Sequence, residues 1–290
     1  MSYIGRKLRQ RRLLFSNESF GIIVPIDHGL TAGPLTGISS ANEIAQWIGN
    51  PNISSIITHR GMLEQLIMKN AILKSTGVIV HLNGMSNLNE ENDTKYMVTQ
   101  VDTAASLGAD AVSVQVNFTE NNYAHNLTLL SAVTEQAHNA GLPVLAMLYD
   151  KVMVENEELA INRMQIIMRL AIELGCDAIK ISFPKSISFI SNLLSDVSDS
   201  TQVFFAGGEL TDEDTFLKNT SVAVAHGASG LCAGRNIFQH QHKELMLERI
   251  RLCMINDERR NYDVLLSEKS SAYKSKPHAV KTATHSKETI

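Results

Sequence analysis

The amino-acid sequence predicts an α/β fold, a (β/α)8 TIM barrel. Three observations carry this. Eight apolar runs alternate with helical patterns at roughly 30-residue intervals, the spacing of strand–helix–strand units. The runs are continuous rather than alternating, as parallel strands buried on both faces require. One helix-exit, strand-entry phrase recurs, as Gly108-Ala-Asp-Ala-Val, Gly175-Cys-Asp-Ala-Ile and Gly227-Ala-Ser-Gly-Leu. A doubly wound open sheet is the rival; the count of eight strands and the closing Gly234-Arg235 turn favour closure. With 290 residues the chain has room for one barrel of about 250 residues and a tail.

The elements follow in order. Residues 4–14 predict a short amphipathic helix with Ile4, Leu8 and Leu13 on one side, which either plugs the bottom of the barrel or lies on a neighbouring subunit. The first strand, 21–26, ends at Asp27-His28-Gly29; a loop over 29–39 leads to a helix over 40–48 capped by Ser39 or Ser40. The second strand, 53–58, ends at His59-Arg60, and the third, 77–80, at His81. The polar, Asn-rich stretch 83–93 reads as a loop and 94–107 as the next helix. The fourth strand, 110–116, ends at Asn117, and the helix over 122–139 stops at Gly141, which suits a left-handed cap. The fifth, 143–148, ends at Tyr149-Asp150. The sixth, within 177–182, carries Lys180 and ends at Ser182. The seventh, 202–206, ends at Gly207-Gly208, before a helix over 211–226 capped by Thr211 with acidic residues in its first turn. The eighth, 229–233, ends at Gly234-Arg235, and a last helix covers 241–256. This gives an N-terminal helix and linker over 1–20, a barrel over 21–257, and a polar Ser/Lys/Thr/His-rich tail over 258–290 whose composition predicts poor order.

Composition narrows the function. The formal net charge is −4 with no basic patch, which argues against nucleic acid. Cys176, Cys232 and Cys253 match no zinc or disulfide spacing and read as reduced thiols of a cytoplasmic protein. The basic N-terminus lacks the apolar core of a signal peptide, and no apolar run approaches the roughly 20 residues of a membrane span.

The strongest signal is that apolar strands turn polar at one end only. Barrel chemistry sits at the C-terminal ends of the strands. A lysine inside a buried strand is costly unless it is used, so Lys180 reads as an amine nucleophile that forms a Schiff base with a ketone. An ordinary lysine has a pKa of about 10.4, and bringing it to about 7 takes roughly 4–5 kcal/mol of ammonium destabilisation, which burial can supply. The plain alternative is a structural ion pair with Asp27. Asp27 either shuttles protons during carbinolamine dehydration or pairs with Lys180. His28 serves as a substrate contact or an ordinary hydrogen-bonding side chain. Tyr149, on the strand beside Lys180, is an acid–base phenol or an aromatic filling the mouth. Gly207-Gly208 and Gly234-Arg235 end the last two strands, where barrels bind phosphate through backbone N–H groups and arginine; the alternative is tight turns alone. Ser182 joins the substrate-binding set as the last residue of the lysine strand. A competing use of His28, His59 and His81 is a zinc ion, but no acidic pair accompanies them and Lys180 would then have no task. The reading adopted has no metal.

With these residues in view, the sequence resembles the archaeal-type class I aldolase family. The phrases that carry the resemblance are Val24-Pro-Ile-Asp-His-Gly-Leu, Gly33-Pro, Ala178-Ile-Lys-Ile-Ser, Ala206-Gly-Gly and Gly234-Arg-Asn-Ile-Phe-Gln, and it spans about 4–256. The family includes class I fructose-bisphosphate aldolases, 2-amino-3,7-dideoxy-D-threo-hept-6-ulosonate synthases and bacterial relatives that use aspartate semialdehyde, with a thiolase branch. The resemblance implies a TIM barrel, a covalent Schiff base on Lys180 with no other cofactor, Asp27 and Tyr149 as its proton-moving partners, and phosphate turns at Gly207-Gly208 and Gly234-Arg235. It also implies ring-shaped homo-oligomers, often decamers, acting on a phosphorylated keto-sugar and an aldehyde. The synthase branch, with aspartate semialdehyde as acceptor, is the preferred reading; fructose-bisphosphate aldolase is second, and a non-catalytic sugar-phosphate-binding barrel stands for a different class. The chain departs from the family pattern at Asp150-Lys151-Val152, at Glu209-Leu210 and at His81-Leu-Asn-Gly-Met.

Overall fold

A computed structural model describes residues 3–255, apart from 196 and 198–200. The tail expected over 258–290 lies outside the described residues. The strands are β1 (Gly21–Pro25), β2 (Ser55–Thr58), β3 (Gly77–His81), β4 (Asn83–Gly84), β5 (Tyr96–Met97), β6 (Ala111–Phe118), β7 (Val144–Asp150), β8 (Ala178–Ser182), β9 (Gln202–Ala206) and β10 (Gly230–Cys232). All except β4 and β5 run parallel and close into a barrel, in the order β1-β10-β9-β8-β7-β6-β3-β2. The expected eight-stranded barrel is therefore the observed one.

The seam between first and last strands pairs Gly21 with Gly230 and Ile23 with Cys232. It explains one glycine. Gly230 has φ +121°, and a Cβ there would lie 2.0 Å from the Gly21 carbonyl oxygen. Only a residue without a side chain lets these two backbones meet.

The helices are α1 (Tyr3–Gln10), α2 (His28–Ala32), α3 (Ala41–Ala45), α4 (Arg60–Met68), α5 (Val101–Ser106), α6 (Tyr123–Asn139), α7 (Glu157–Glu173), α8 (Ile190–Leu194), α9 (Glu213–Ala225) and α10 (Arg235–Phe238), followed by a helix over 243–255. Strand alternation splits the core into two layers. Ile23, Ile57, Ile79, Ala111, Leu145, Ala178, Phe204 and Cys232 fill the interior, while their neighbours Ile22, Val24, Ile56, Ile179 and Ile181 pack under the helices.

Leu13 closes the bottom. It is fully buried in the interior cluster, and burying such a side chain is worth about 2 kcal/mol. Polar groups hold the segment there. Ser54 and Ser55 donate their hydroxyls to the carbonyls of Leu13 and Arg12, at 2.8 and 2.9 Å. Arg12 pairs with Asp110, and Arg6 lies 3.4 Å from Asp177. The first helix thus docks through its polar side, and its apolar residues Tyr3, Ile4 and Leu8 are exposed. Of Ile4, Leu8 and Leu13, expected on one side of a helix that plugs the barrel or lies on a neighbouring subunit, only Leu13, in the 3-10 turn after the helix, goes inside.

Three further expectations change. Residues 29–39 are not all loop, because His28–Ala32 winds into α2. The helix expected over 94–107 begins only at Val101, and Tyr96–Met97 pairs instead with Asn83–Gly84 in a small antiparallel sheet. The cap of α9 is Asp212, whose carboxylate accepts the Thr215 N–H at 2.9 Å, rather than Thr211. For α3 the expected cap is Ser40, which accepts from the Glu43 N–H.

Candidate active site

The polar strand ends converge on a cavity of about 270 Å³ at the mouth of the barrel. Asp27, His28, His59, His81, Tyr149, Lys180 and Arg235 all line it. Lys180 and Tyr149 arrive there by strand parity. Ala178 points inward on β8, so Lys180 does also; Leu145 and Met147 point inward on β7, so Tyr149 follows.

Lys180 is 6% exposed. Its register partners are Met147 on one side and Phe204 on the other. The Tyr149 hydroxyl and the Cys232 thiol are its side-chain hydrogen-bonding neighbours. Burial alone would lower the Lys180 pKa; its interactions with Cys232, Tyr149 and Asp27, a hydrogen bond with the phenol among them, outweigh burial and hold the amine above the ordinary lysine value. This corrects the expectation that burial tunes the resting amine down towards neutral. The raised value favours the ammonium form in the resting site. Burial pushes the Cys232 thiol up to about 11, so it stays neutral beside the amine.

Asp27 ends β1 and enters α2. Its Oδ1 lies 3.4 Å from His28 Nδ1 and its Oδ2 3.7 Å from His81 Nε2. Burial would raise its pKa, but His81, His28 and Lys180 together hold it below the usual carboxylate range. It is therefore ionised. Burial drives His81 down to about 4, so its imidazole is neutral at pH 7, with Nδ1 2.8 Å from the Ser113 hydroxyl. His28 and His59 are lowered too, chiefly by burial. The Nδ1 atoms of His28 and His59 are buried without a hydrogen-bond partner among the described residues. Such groups are costly unless a ligand meets them. The three histidines surround Asp27, and among the described residues no three His, Cys, Asp or Glu side chains are placed to hold a metal.

Arg235 lines the cavity from the start of α10. The glycines lie beside it rather than in its wall. Gly208 is left-handed at φ +68°. A Cβ on Gly234 would lie 2.7 Å from the His28 ring, so this glycine lets His28 reach its place. Asn236 staples the turn after β9 to α10, donating to the carbonyls of Gly207 and Glu209 at 2.8 and 3.1 Å and accepting the Thr211 N–H at 3.2 Å. Ser182 is exposed and lines a different cavity, with Phe183 and Met164, between β8 and α7.

Sequence reasoning missed Lys95, Asn83, Gln115 and Cys232 as neighbours of this site. Lys95, Asn83 and Gln115 line the cavity, and Cys232 touches the amine. The signal for Cys232 was its inward parity on the last strand. For Lys95 no signal existed in the sequence, because the stretch that carries it reads as the start of a helix.

Comparison with known proteins gives the family. The DeoC/LacD family aldolase profile matches residues 21–240. The 2-amino-3,7-dideoxy-D-threo-hept-6-ulosonate synthase 1 of Archaeoglobus fulgidus is 30% identical over 241 residues, covering 82% of this chain and 86% of the relative. The 2-amino-4,5-dihydroxy-6-oxo-7-(phosphonooxy)heptanoate synthase of Streptomyces griseus is 27% identical, covering 85% and 89%. Among solved structures, an archaeal fructose-1,6-bisphosphate aldolase with its catalytic lysine covalently bound to the carbinolamine intermediate superposes with a TM-score of 0.73 at 22% identity, over 85% of this chain and 98% of that one. That superposition agrees with the closed barrel. The matched profile and the Archaeoglobus relative fix the rest: the chain is an enzyme, a class I aldolase, and belongs to the DeoC/LacD aldolase family.

Proposed function

We propose that the chain makes or breaks a carbon–carbon bond of a phosphorylated keto-sugar through a Schiff base on Lys180, with aspartate semialdehyde as the aldehyde acceptor. The observation that carries this is the buried Lys180 amine, pointing into the barrel mouth between the Tyr149 phenol and the ionised Asp27.

The steps balance on these groups. The Lys180 ammonium gives up a proton, for which Asp27 is the carboxylate in the cavity wall. The free amine adds to the ketone carbon to give a carbinolamine, whose hydroxyl leaves as water when Asp27 returns a proton. The iminium that forms is an electron sink, so no further cofactor is needed. Loss of a proton from the adjacent carbon to Asp27, again a carboxylate once the water has left, or cleavage of the adjacent carbon–carbon bond, gives an enamine. The enamine attacks the aldehyde carbon, and Tyr149 protonates the aldehyde oxygen. Water then releases the product. Arg235 binds the phosphate throughout, with His28 beside it and the turns at Gly207-Gly208 and Gly234 behind it; Ser182, expected to contact the substrate, faces a different cavity and takes no part.

The experiment is borohydride trapping with dihydroxyacetone phosphate. A stable adduct on the wild type that is absent in Lys180→Ala supports the assignment; no adduct with any phosphorylated ketone overturns it. A second reading, fructose-bisphosphate cleavage, is supported by the class 1 fructose-bisphosphate aldolase of Halobacterium salinarum, 28% identical over 238 residues. A screen of aldehyde acceptors separates the two. Exposed Tyr3, Ile4 and Leu8 on α1 support assembly with further copies of the chain, in a ring such as a decamer. The free cysteines support work in the cytoplasm, and no helix among the described residues is long and apolar enough to cross a membrane.

A further inference from the structure

The cavity holds one more cation than the reaction at Lys180 and the phosphate at Arg235 use. Lys95 is 4% exposed and lines the same cavity. Its own neighbourhood does not neutralise it. The nearby Asp93 carboxylate is taken by Lys151, at 3.7 Å, and by the Asn117 amide, which donates to it at 3.1 Å. Among the described residues no carboxylate lies within 4 Å of the Lys95 amine. Burial lowers the pKa of Lys95, and Asp93 and Lys151 pull it in opposite directions. In the cavity wall, three cations, Lys95, Lys180 and Arg235, face one carboxylate, Asp27, and the histidines there are held towards the neutral form.

Topology sets these cations apart. Round the rim from β8, Arg235 follows β10, two strands away in one direction; Lys95 sits beyond β3, three strands away in the other. By way of β1 and β2, Arg235 and Lys95 are themselves three strands apart, on either side of Asp27. A ligand with anionic groups at both ends can serve both cations. The segment is also built to hold Lys95 in place. The Asn83 side chain bonds both backbone groups of Gln115 on β6, at 2.8 and 2.9 Å, and Asn83 pairs with Met97, two residues beyond Lys95.

We propose that Lys95 binds an anionic group, a carboxylate or a phosphate, on the aldehyde acceptor and so selects charged aldehydes over neutral ones. This rests on the Schiff-base reading above. An acceptor with no charge would leave the ammonium desolvated and unpaired, at a cost that a buried cation makes large.

The test is kcat/KM with dihydroxyacetone phosphate as donor and three acceptors: aspartate semialdehyde for carboxylate, glyceraldehyde 3-phosphate for phosphate, and glyceraldehyde as the neutral control. The wild type should prefer at least one charged acceptor tenfold or more over glyceraldehyde. In Lys95→Gln that ratio should collapse at least tenfold, and in Lys95→Arg most of it should be retained. Because the ratio is taken within one protein, a general loss of folded enzyme cancels. Which charged acceptor loses more identifies the anion. No preference in the wild type overturns the proposal even if the variants fail to fold, and so does an unchanged ratio in Lys95→Gln. Borohydride trapping on the wild type keeps the two claims distinguishable: no adduct removes both, whereas an adduct with an unchanged ratio removes only the role of Lys95.

Discussion

His81 Nε2 lies 3.7 Å from the Asp27 carboxylate, while the other ring nitrogen lies 2.8 Å from the Ser113 hydroxyl. The ring is a neutral bridge between a buried acid and the wall of the barrel.

A stability cost at low pH follows. In the folded protein His81 takes a proton only near pH 4, and in the unfolded chain near 6.5. Between those values the unfolded state binds more protons, so stability falls as the pH drops. The shift corresponds to about 3 kcal/mol lost from pH 7 to pH 4. Asp27, held below its usual value, adds a loss only at still lower pH. Urea unfolding at pH 7.0 and 4.5 checks this: His81→Asn should shrink the difference between the two by about 2 kcal/mol.

Asp27→Asn and Tyr149→Phe should fail at different stages. Removing the carboxylate slows formation of the trapped lysine adduct by about a hundredfold or more. Removing the phenol leaves trapping with the ketone in place but lowers turnover with an aldehyde by about 10²–10⁴-fold. Rapid-quench trapping beside steady-state turnover reads both. Equal losses in both assays for both variants would deny the division of labour.

Gly230→Ala should cost at least about 3 kcal/mol, because a left-handed φ and a close backbone contact are both violated. The added Cβ would lie 2.0 Å from the Gly21 oxygen, with no flexible side chain to move aside. Thermal unfolding measures it, and a shift of less than a degree would mean that the seam opens freely.

Thiol labelling should be selective. Burial pushes Cys176 up to about 12 and Cys232 up to about 11, and both are closed off. Iodoacetamide at pH 8 should therefore modify the half-buried Cys253 alone in the native protein, and all three cysteines after denaturation. Mass spectrometry counts the adducts.

The barrel was legible because it is written in long-range repetition. Continuous apolar strands and the recurring Gly-Ala-Asp phrase are properties of the whole chain, and no local detail has to be right. The same logic found Lys180, Tyr149 and Asp27, since a polar residue ending an apolar strand stands out against its background. It failed where a side chain takes over the role of backbone. Nothing in the Asn-rich stretch announces that Asn83 will act as a strand partner for Gln115, so the segment reads as a loop and Lys95 as a helix residue. It failed also on the charge state of Lys180, because burial was visible in the sequence and the surrounding acidic groups, contributed by three other strands, were not. How the N-terminal segment docks was not legible either, because the ion pairs of Arg6 to Asp177 and of Arg12 to Asp110 depend on partners more than ninety positions away.

The segment after Asn83 has one more implication. Residues 85–95 leave the barrel at Asn83–Gly84 and return at Tyr96–Met97, and side chains of the neighbouring rim, Asn117 on Asp93 and His125 on the Lys95 carbonyl, hold the excursion against the barrel. A change in that excursion reaches the rim of the cavity through Lys95 while the strand that carries Lys180 lies three strands away. An engineer who rewrites that excursion must therefore keep Asp93 and the Lys95 carbonyl in place for the rim to hold its shape.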